Sequence, residues 1–140
     1  MGRQIFGALF IALAYLLDTH ALIWWWLGDP RLPESARNIM SAPTVPIYVS
    51  AISAYELALK VRTGELSELA EPLADFGDSV RGDGFRHLDV LHDHTTRAAM
   101  LSDELRDPFD RIIAAQALAD QLTVLTRDRS IAAFGCRTLW

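Results

Sequence analysis

Four of the chain's 18 acidic residues stand where a solvated charge is not expected. Asp18 directly follows the apolar run Tyr15-Leu16-Leu17, and Asp128 follows Val124-Leu125-Thr126-Arg127. Glu56 is the sole acid between Val45 and Thr63, and at helical spacing it shares a face with Ile52, Tyr55 and Leu59. By the same arithmetic Asp110 shares a face with Ile113, Ala114 and Ala117. An ionised carboxylate on a core-facing stripe is costly unless something pairs with it. Two helical carboxylates and two at strand ends suggest one common partner. A hard divalent cation, Mg²⁺ or Mn²⁺, suits such an all-oxygen set. Most other acids fall in runs such as Glu65–Glu71 and Asp75–Asp83, where solvated charges belong.

Each of the four also has a purely structural explanation, and spacing alone leaves both open. Asp110 stands three residues after Asp107, so the two can form a capping arrangement. Glu56 can pair with Lys60 one turn on. Asp18 can cap the helix that follows it, and Asp128 the short segment Arg129–Phe134. The histidines carry less. His92 and His94 flank Asp93 in a metal-like pattern, but at a helix start, where capping or solvation is the expectation. His20 lies two residues after Asp18, close enough in sequence to touch a phosphate or to be an ordinary loop residue. The run Trp24-Trp25-Trp26 points in three directions along a helix, so at least one indole is expected at the surface, as part of a partner interface.

The elements that must position these acids alternate. Short apolar runs at Tyr15–Leu17, Ile47–Val49, Phe85–Val90 and Thr123–Thr126 read as strands, with Arg137–Trp140 as an edge strand. Helices are expected after Asp18 up to Gly28 and Pro30, over Pro33–Ser41, and from Ser50 or Ser53 to Arg62 with Gly64 as stop signal. Glu71–Val80, His92–Leu105 and Pro108–Gln121 complete the set. The last is the best marked, with Asp107 as N-cap and Pro108 at the first helical position. Strands alternating with helices predict an α/β sandwich with a mainly parallel sheet. In such sheets sites form beyond the carboxyl ends of the strands, where Asp18 and Asp128 would lie.

Composition sets the bounds. The 140 residues fit one domain, the 51% apolar share suffices for a packed core, and 22% charged residues argue against disorder. Cys136 is the lone cysteine, which excludes a disulfide framework or a cysteine zinc site and suits a reducing cytoplasm. The net charge of −5 means that a polyanion would have to be met by local arginines or by bound cations. Of the 13 basic residues only Lys60 is a lysine. Arg3 and the uncharged run from Ile5 to Leu17 resemble a targeting signal. The run is too short to span a bilayer, which takes about 20 apolar residues, and a signal core would merge into the first strand. Met1–Ala14 is therefore read as an apolar extension from an upstream start, before a domain over Tyr15–Trp140 and without membrane association.

Taken together, Leu16-Leu17-Asp18-Thr19-His20-Ala21, Ser50-Ala51-Ile52-Ser53-Ala54-Tyr55-Glu56, Asp107-Pro108-Phe109-Asp110-Arg111 with Ile113-Ala114-Ala115-Gln116-Ala117, and Leu125-Thr126-Arg127-Asp128 resemble the ordered signature blocks of the PIN-domain family, VapC-like ribonuclease toxins in particular. The resemblance covers Tyr15 to Trp140. It implies a PIN-like three-layer sandwich whose acids gather at one end of a parallel sheet. Carried over, Asp18, Glu56, Asp110 and Asp128 become the acidic quartet, with Asp18 and Asp110 at the positions credited with the essential Mg²⁺. Thr126 matches a hydroxyl near the site, and Asp107 a supporting cap. Lys60, Arg111, Arg127 and Arg129 lie near these motifs as candidate phosphate contacts. The implied activity is Mg²⁺-dependent endoribonuclease cleavage, with Mn²⁺ as a substitute, in which the ion polarises the scissile phosphate and activates a water for in-line attack. The implied partners are RNA, a cognate small antitoxin and a second copy in a homodimer, all in the cytoplasm. Other readings are a solitary PIN-type RNA-processing nuclease and a non-enzymatic α/β interaction module. A phosphatase with an Asp-x-Asp pattern fits less well, because His20 occupies the second position.

Overall fold

The computed structural model describes residues 13–103 and 106–140, so nearly all of the expected extension over residues 1–14 lies outside the described residues. Five strands form one sheet in the order β3-β2-β1-β4-β5, every adjacent pair parallel. They are β1 (Tyr15–Leu17), β2 (Ile47–Ser50), β3 (Arg86–Leu88), β4 (Thr123–Leu125) and β5 (Thr138–Leu139). Central strands of a parallel sheet are covered on both faces and read as unbroken apolar runs. Accordingly β1 and β4 are buried at every position, whereas β3 and β5 form the partly exposed edges.

Side chains on the strands alternate between two cores. Leu16 and Val124, opposite one another in the β1–β4 register, pack with Ile113, Ala114, Ala117 and Ile131 on one face. Tyr15, Leu17 and Leu125 face the other way, onto Leu22, Met40, Leu57 and Val80. The sheet is thus the middle layer of the expected three-layer sandwich, with α1 (Thr19–Leu27), α2 (Glu34–Ser41), α3 (Ala51–Arg62), α4 (Ala70–Ala74), α5 (Phe76–Gly82), α6 (His92–Met100) and α7 (Pro108–Asp120) around it. Among the described residues no helix is long and apolar enough to cross a membrane.

The helix boundaries follow local chemistry. Gly28 ends α1 in the left-handed conformation, φ 65°, and its N–H donates back to the Trp24 and Trp25 carbonyls. Ser50, rather than Ser53, caps α3 by accepting from the Ile52 N–H at 3.0 Å. Asp107 caps α7, accepting from the Phe109 N–H at 2.9 Å, with Pro108 next in line as expected. Two helices differ from expectation. The stretch Glu71–Val80 is not one helix, because the chain breaks at Asp75 between α4 and α5. The Ser79 hydroxyl donates to the Pro72 carbonyl across that break. The helix expected over His92–Leu105 stops at Met100, where Leu101 turns extended; positions 104 and 105 lie outside the described residues.

The tryptophan run also differs. None of the three indoles is fully exposed: Trp24 is buried, and Trp25 and Trp26 are half-buried. Trp25 meets Phe85, while Trp26 meets Phe76 and donates its ring N–H to Asp83 Oδ2 at 2.7 Å. The segment from α5 into β3 supplies these partners, which helical spacing alone could not reveal.

Candidate active site

The strand order reverses direction at β1. The chain runs outward through β2 and β3 on one side, then returns to place β4 and β5 on the other. Such a switch point leaves a crevice beyond the carboxyl ends of the two strands that flank it. Asp18 leaves β1 at this crevice, and Thr126, Arg127 and Asp128 leave β4 there. The Thr126 hydroxyl donates to Asp18 Oδ2 at 2.5 Å and accepts from the Asp128 N–H at 2.9 Å. Residues 108 positions apart in sequence are thereby locked together.

Asp18 is buried, and its Oδ1 also accepts from the Ala21 N–H at 2.8 Å. It therefore caps α1 and belongs to the crevice at once, so its two sequence readings do not exclude each other. The next residue, Thr19, shares a hydrogen bond of 2.9 Å with Ser53 of α3. That contact pins α3 beside β1 and brings in Glu56, one turn after Ser53. Sequence spacing missed the Thr19–Ser53 pair, since a hydroxyl pair 34 positions apart leaves no periodic signal.

Glu56 is buried, but not on the stripe that spacing predicted. The buried residues of α3 are Ser53, Glu56 and Leu57, whereas Tyr55 is 57% exposed and rests edge-on against Phe109. Lys60 does not compensate Glu56; it pairs with Glu65 at 3.1 Å. Among the described residues no cation lies within ion-pair distance of Glu56, and its buried Oε1 has no hydrogen-bond partner. A buried acceptor without a donor is rare in folded proteins and calls for something to satisfy it.

Asp110 lies in the first turn of α7, half-buried, above the buried Ile113, Ala114 and Ala117. Burial, and then the negative charges of Asp107, Asp18, Glu56 and Asp128, push its carboxyl up to about 7. Asp18 is raised too, chiefly by burial and last by Glu56, against the opposing hydrogen bonds of Thr126 and Ala21 and the charge of His20. The four acids singled out by sequence therefore share one electrostatic neighbourhood. Asp128 is exposed, and its Oδ1 accepts from the Ser130 N–H and hydroxyl, so it also turns the chain after β4.

Among the described residues no three histidine, cysteine or carboxylate groups already stand close enough to ligate one ion. Mg²⁺ does not require them to, since it keeps several waters and binds through one or two carboxylates plus substrate phosphates. The donor set fits such an ion: carboxylates only, mutually repelling, with one orphaned buried oxygen. Asp18 and Asp110 would hold it, with Glu56 and Asp128 alongside.

The candidate phosphate contacts separate. Lys60 lines a groove with Glu56, Asp107 and Phe109, but is paired to Glu65. The Arg111 guanidinium donates to the Ala98, Ala99, Leu101 and Ser102 carbonyls and so closes the end of α6. Arg129 is exposed beside Thr126 and Trp140. Arg127 enters a cleft of about 340 Å³ lined by Asp18, His20, Trp24, Arg31 and Asp128. Trp24 and Arg31 were not singled out by sequence as site residues. Of the remaining histidines, His94 is buried and structural: its Nδ1 accepts from the Leu91 N–H at 2.9 Å and its Nε2 stands 3.3 Å from Asp120.

Solved structures with this fold include VapBC2 from Rickettsia felis bound to a promoter DNA fragment, at 20% identity and TM-score 0.67, covering 91% of this chain and 98% of that one. FitAcB from Neisseria gonorrhoeae follows at 24% and 0.63, covering 90% and 96%. A toxin–antitoxin complex from Klebsiella pneumoniae matches at 20% and 0.60, with coverage of 90% and 96%. At these identities the likeness is one of fold. No curated protein sequence matches significantly. The family model described as PIN domain matches residues 15–135, spanning β1 through α7 and β4, and the chain belongs to that family.

Proposed function

We propose that this PIN domain is a metal-dependent endoribonuclease and the toxin of a VapBC-type toxin–antitoxin pair. The observation that carries the reading is the orphaned Glu56 carboxylate beside Asp18 and a strongly perturbed Asp110, at the switch point of the sheet. A site whose buried carboxylates have no ion-pair partner among the described residues can take its counter-charge from a cation outside the chain. When bound, Mg²⁺ or Mn²⁺ supplies Lewis acidity at a scissile phosphate and an acidified water for in-line attack.

The chain's own residues prepare that chemistry. Thr126 and the Ala21 N–H orient Asp18 so that its carboxylate does not swing. Without a cation, Asp110 holds a proton near neutral pH, which relieves the repulsion among the acids. Asp107 satisfies the first N–H groups of α7 and leaves Asp110 free of capping duty. The neutralised crevice then accepts a polyanion despite the chain's net charge of −5.

The toxin reading rests on the family and on toxin–antitoxin assemblies among proteins of like fold. It implies a cognate small antitoxin, a homodimer and a cytoplasmic setting. The nuclease reading is tested with a structured RNA: cleavage should vanish in excess EDTA and return with Mg²⁺ or Mn²⁺. Undiminished cleavage in EDTA by pure protein would overturn it.

A further inference from the structure

Two guanidinium groups stand over one indole at the mouth of the cleft. Arg127 Cζ lies 4.8 Å from the Trp24 ring centroid and Arg31 Cζ 4.9 Å from it. His20 rests on the same ring, with centroids 5.6 Å apart. Trp24 is buried, so it cannot present a face to a nucleobase; what it does is fix cations in place. The two cations differ in one respect. Arg31 is tied to Asp29 through three side-chain contacts of 2.7–3.2 Å. Arg127, among the described residues, makes no side-chain hydrogen bond and no ion pair, although it is exposed and borders Asp18 and Asp128.

A guanidinium held over an indole by cation–π attraction, with no hydrogen bond inside the described chain, keeps its N–H donors for an acceptor outside it. That planar fork matches the oxygens of a phosphodiester. Its backbone position is equally fixed, because Thr126 immediately before it bonds both Asp18 and the Asp128 N–H. We infer that Arg127, seated on Trp24, binds an RNA phosphate next to the scissile one, which makes this cleft the subsite through which the single strand's backbone runs. The inference rests on the nuclease reading and deepens it: one anchored arginine, rather than a basic surface, guides the strand to the acids. Arg31 shapes the subsite through Trp24, its own charge being balanced by Asp29.

The test is binding of a short fluorescein-labelled single-stranded RNA to the full chain, followed by anisotropy across a salt series, with Ca²⁺ replacing Mg²⁺ to slow cleavage. Loss of one phosphate contact should lower the slope of log affinity against log salt by about 0.7. Arg127→Ala should do so and weaken binding several-fold, alike for different sequences. Arg127→Lys should keep the slope while losing part of the affinity, because the charge stays and the fork goes. Arg137→Ala removes the same charge before the amino end of β5, at the opposite end of the sheet, and should behave as wild type. Thermal unfolding of each variant establishes that it is folded. A wild-type protein that binds and cleaves RNA, beside an Arg127→Ala protein with unchanged slope and affinity, would overturn the subsite and leave the nuclease standing. An equal loss in Arg137→Ala would overturn it as a general charge effect. Wild-type protein that neither binds nor cleaves RNA would overturn both.

Discussion

Acids on the surface of this molecule and acids at the carboxyl end of its sheet are treated differently by the fold. Asp29 faces Arg31, Asp78 faces Arg81, Asp93 faces Arg97 and Glu65 faces Lys60, each within 3.1 Å. Asp18 and Glu56 are more deeply placed than these, Asp110 is half-buried, and among the described residues none of the three has an ion-pair partner. Ion pairs form where water already screens charge and are absent where burial makes charge expensive. Such an inversion is hard to explain as stabilisation. It is what a site needs if its counter-charge is to arrive and leave.

Removing a buried acid should have the largest effect. Asp18→Asn and Asp110→Asn should each lower RNA cleavage by more than about a hundredfold, since losing groups that merely orient a metal ligand already costs about 10–100-fold. Single-turnover cleavage with saturating Mg²⁺ measures this. Thr126→Val comes next, because it strips a donor from Asp18 and an acceptor from the Asp128 N–H. It should reduce cleavage by about 10–100-fold and stability by about 1–3 kcal/mol, read from urea unfolding.

Smaller still is a pH effect on the metal-free protein. The Asp110 carboxyl rises from its ordinary 3.8 to about 7 on folding, so the native state holds that proton more tightly than the unfolded chain. Its contribution is complete below about pH 4 and is lost as pH climbs through about 7. Unfolding in EDTA should therefore show wild type losing stability over that window relative to Asp110→Asn, and saturating Mg²⁺ should reduce the loss. The mildest changes lie outside the cluster. Asp107→Asn should leave cleavage and stability nearly intact, asparagine being an equal N-cap. Arg97→Ala should shift stability by under about 0.5 kcal/mol. Strong loss of cleavage in Asp107→Asn would erase the distinction between cap and site.

Much of this arrangement is legible in the sequence. The run ending at Asp18 stood out because a central parallel strand is apolar on both faces, so its first charge marks its end. Asp107-Pro108 marked the start of α7 for an equally local reason. Legibility failed where the deciding partner is distant in sequence. Periodicity put Tyr55 on the core stripe with Glu56, but Phe109 holds it at the surface. Helical spacing predicts at least one exposed indole in the tryptophan run, because the partners of Trp25 and Trp26, namely Phe85, Phe76 and Asp83, come from other elements. Nothing in the sequence shows that the end of α6 reaches the Arg111 guanidinium. Among four nearby cations, sequence could not rank Arg127 first, because its distinction is an indole 103 positions away.

Thermal unfolding of wild type and Asp110→Asn, each with EDTA and with Mg²⁺, tests the uncompensated acid cluster without any assumption about substrate. The account predicts that Mg²⁺ raises the wild-type midpoint at neutral pH. Asp110→Asn should start at or above the metal-free wild type, with repulsion relieved, and respond far less to the ion. A wild-type midpoint indifferent to Mg²⁺ and Mn²⁺, matched by an Asp110→Asn protein that unfolds at the same temperature, would contradict it.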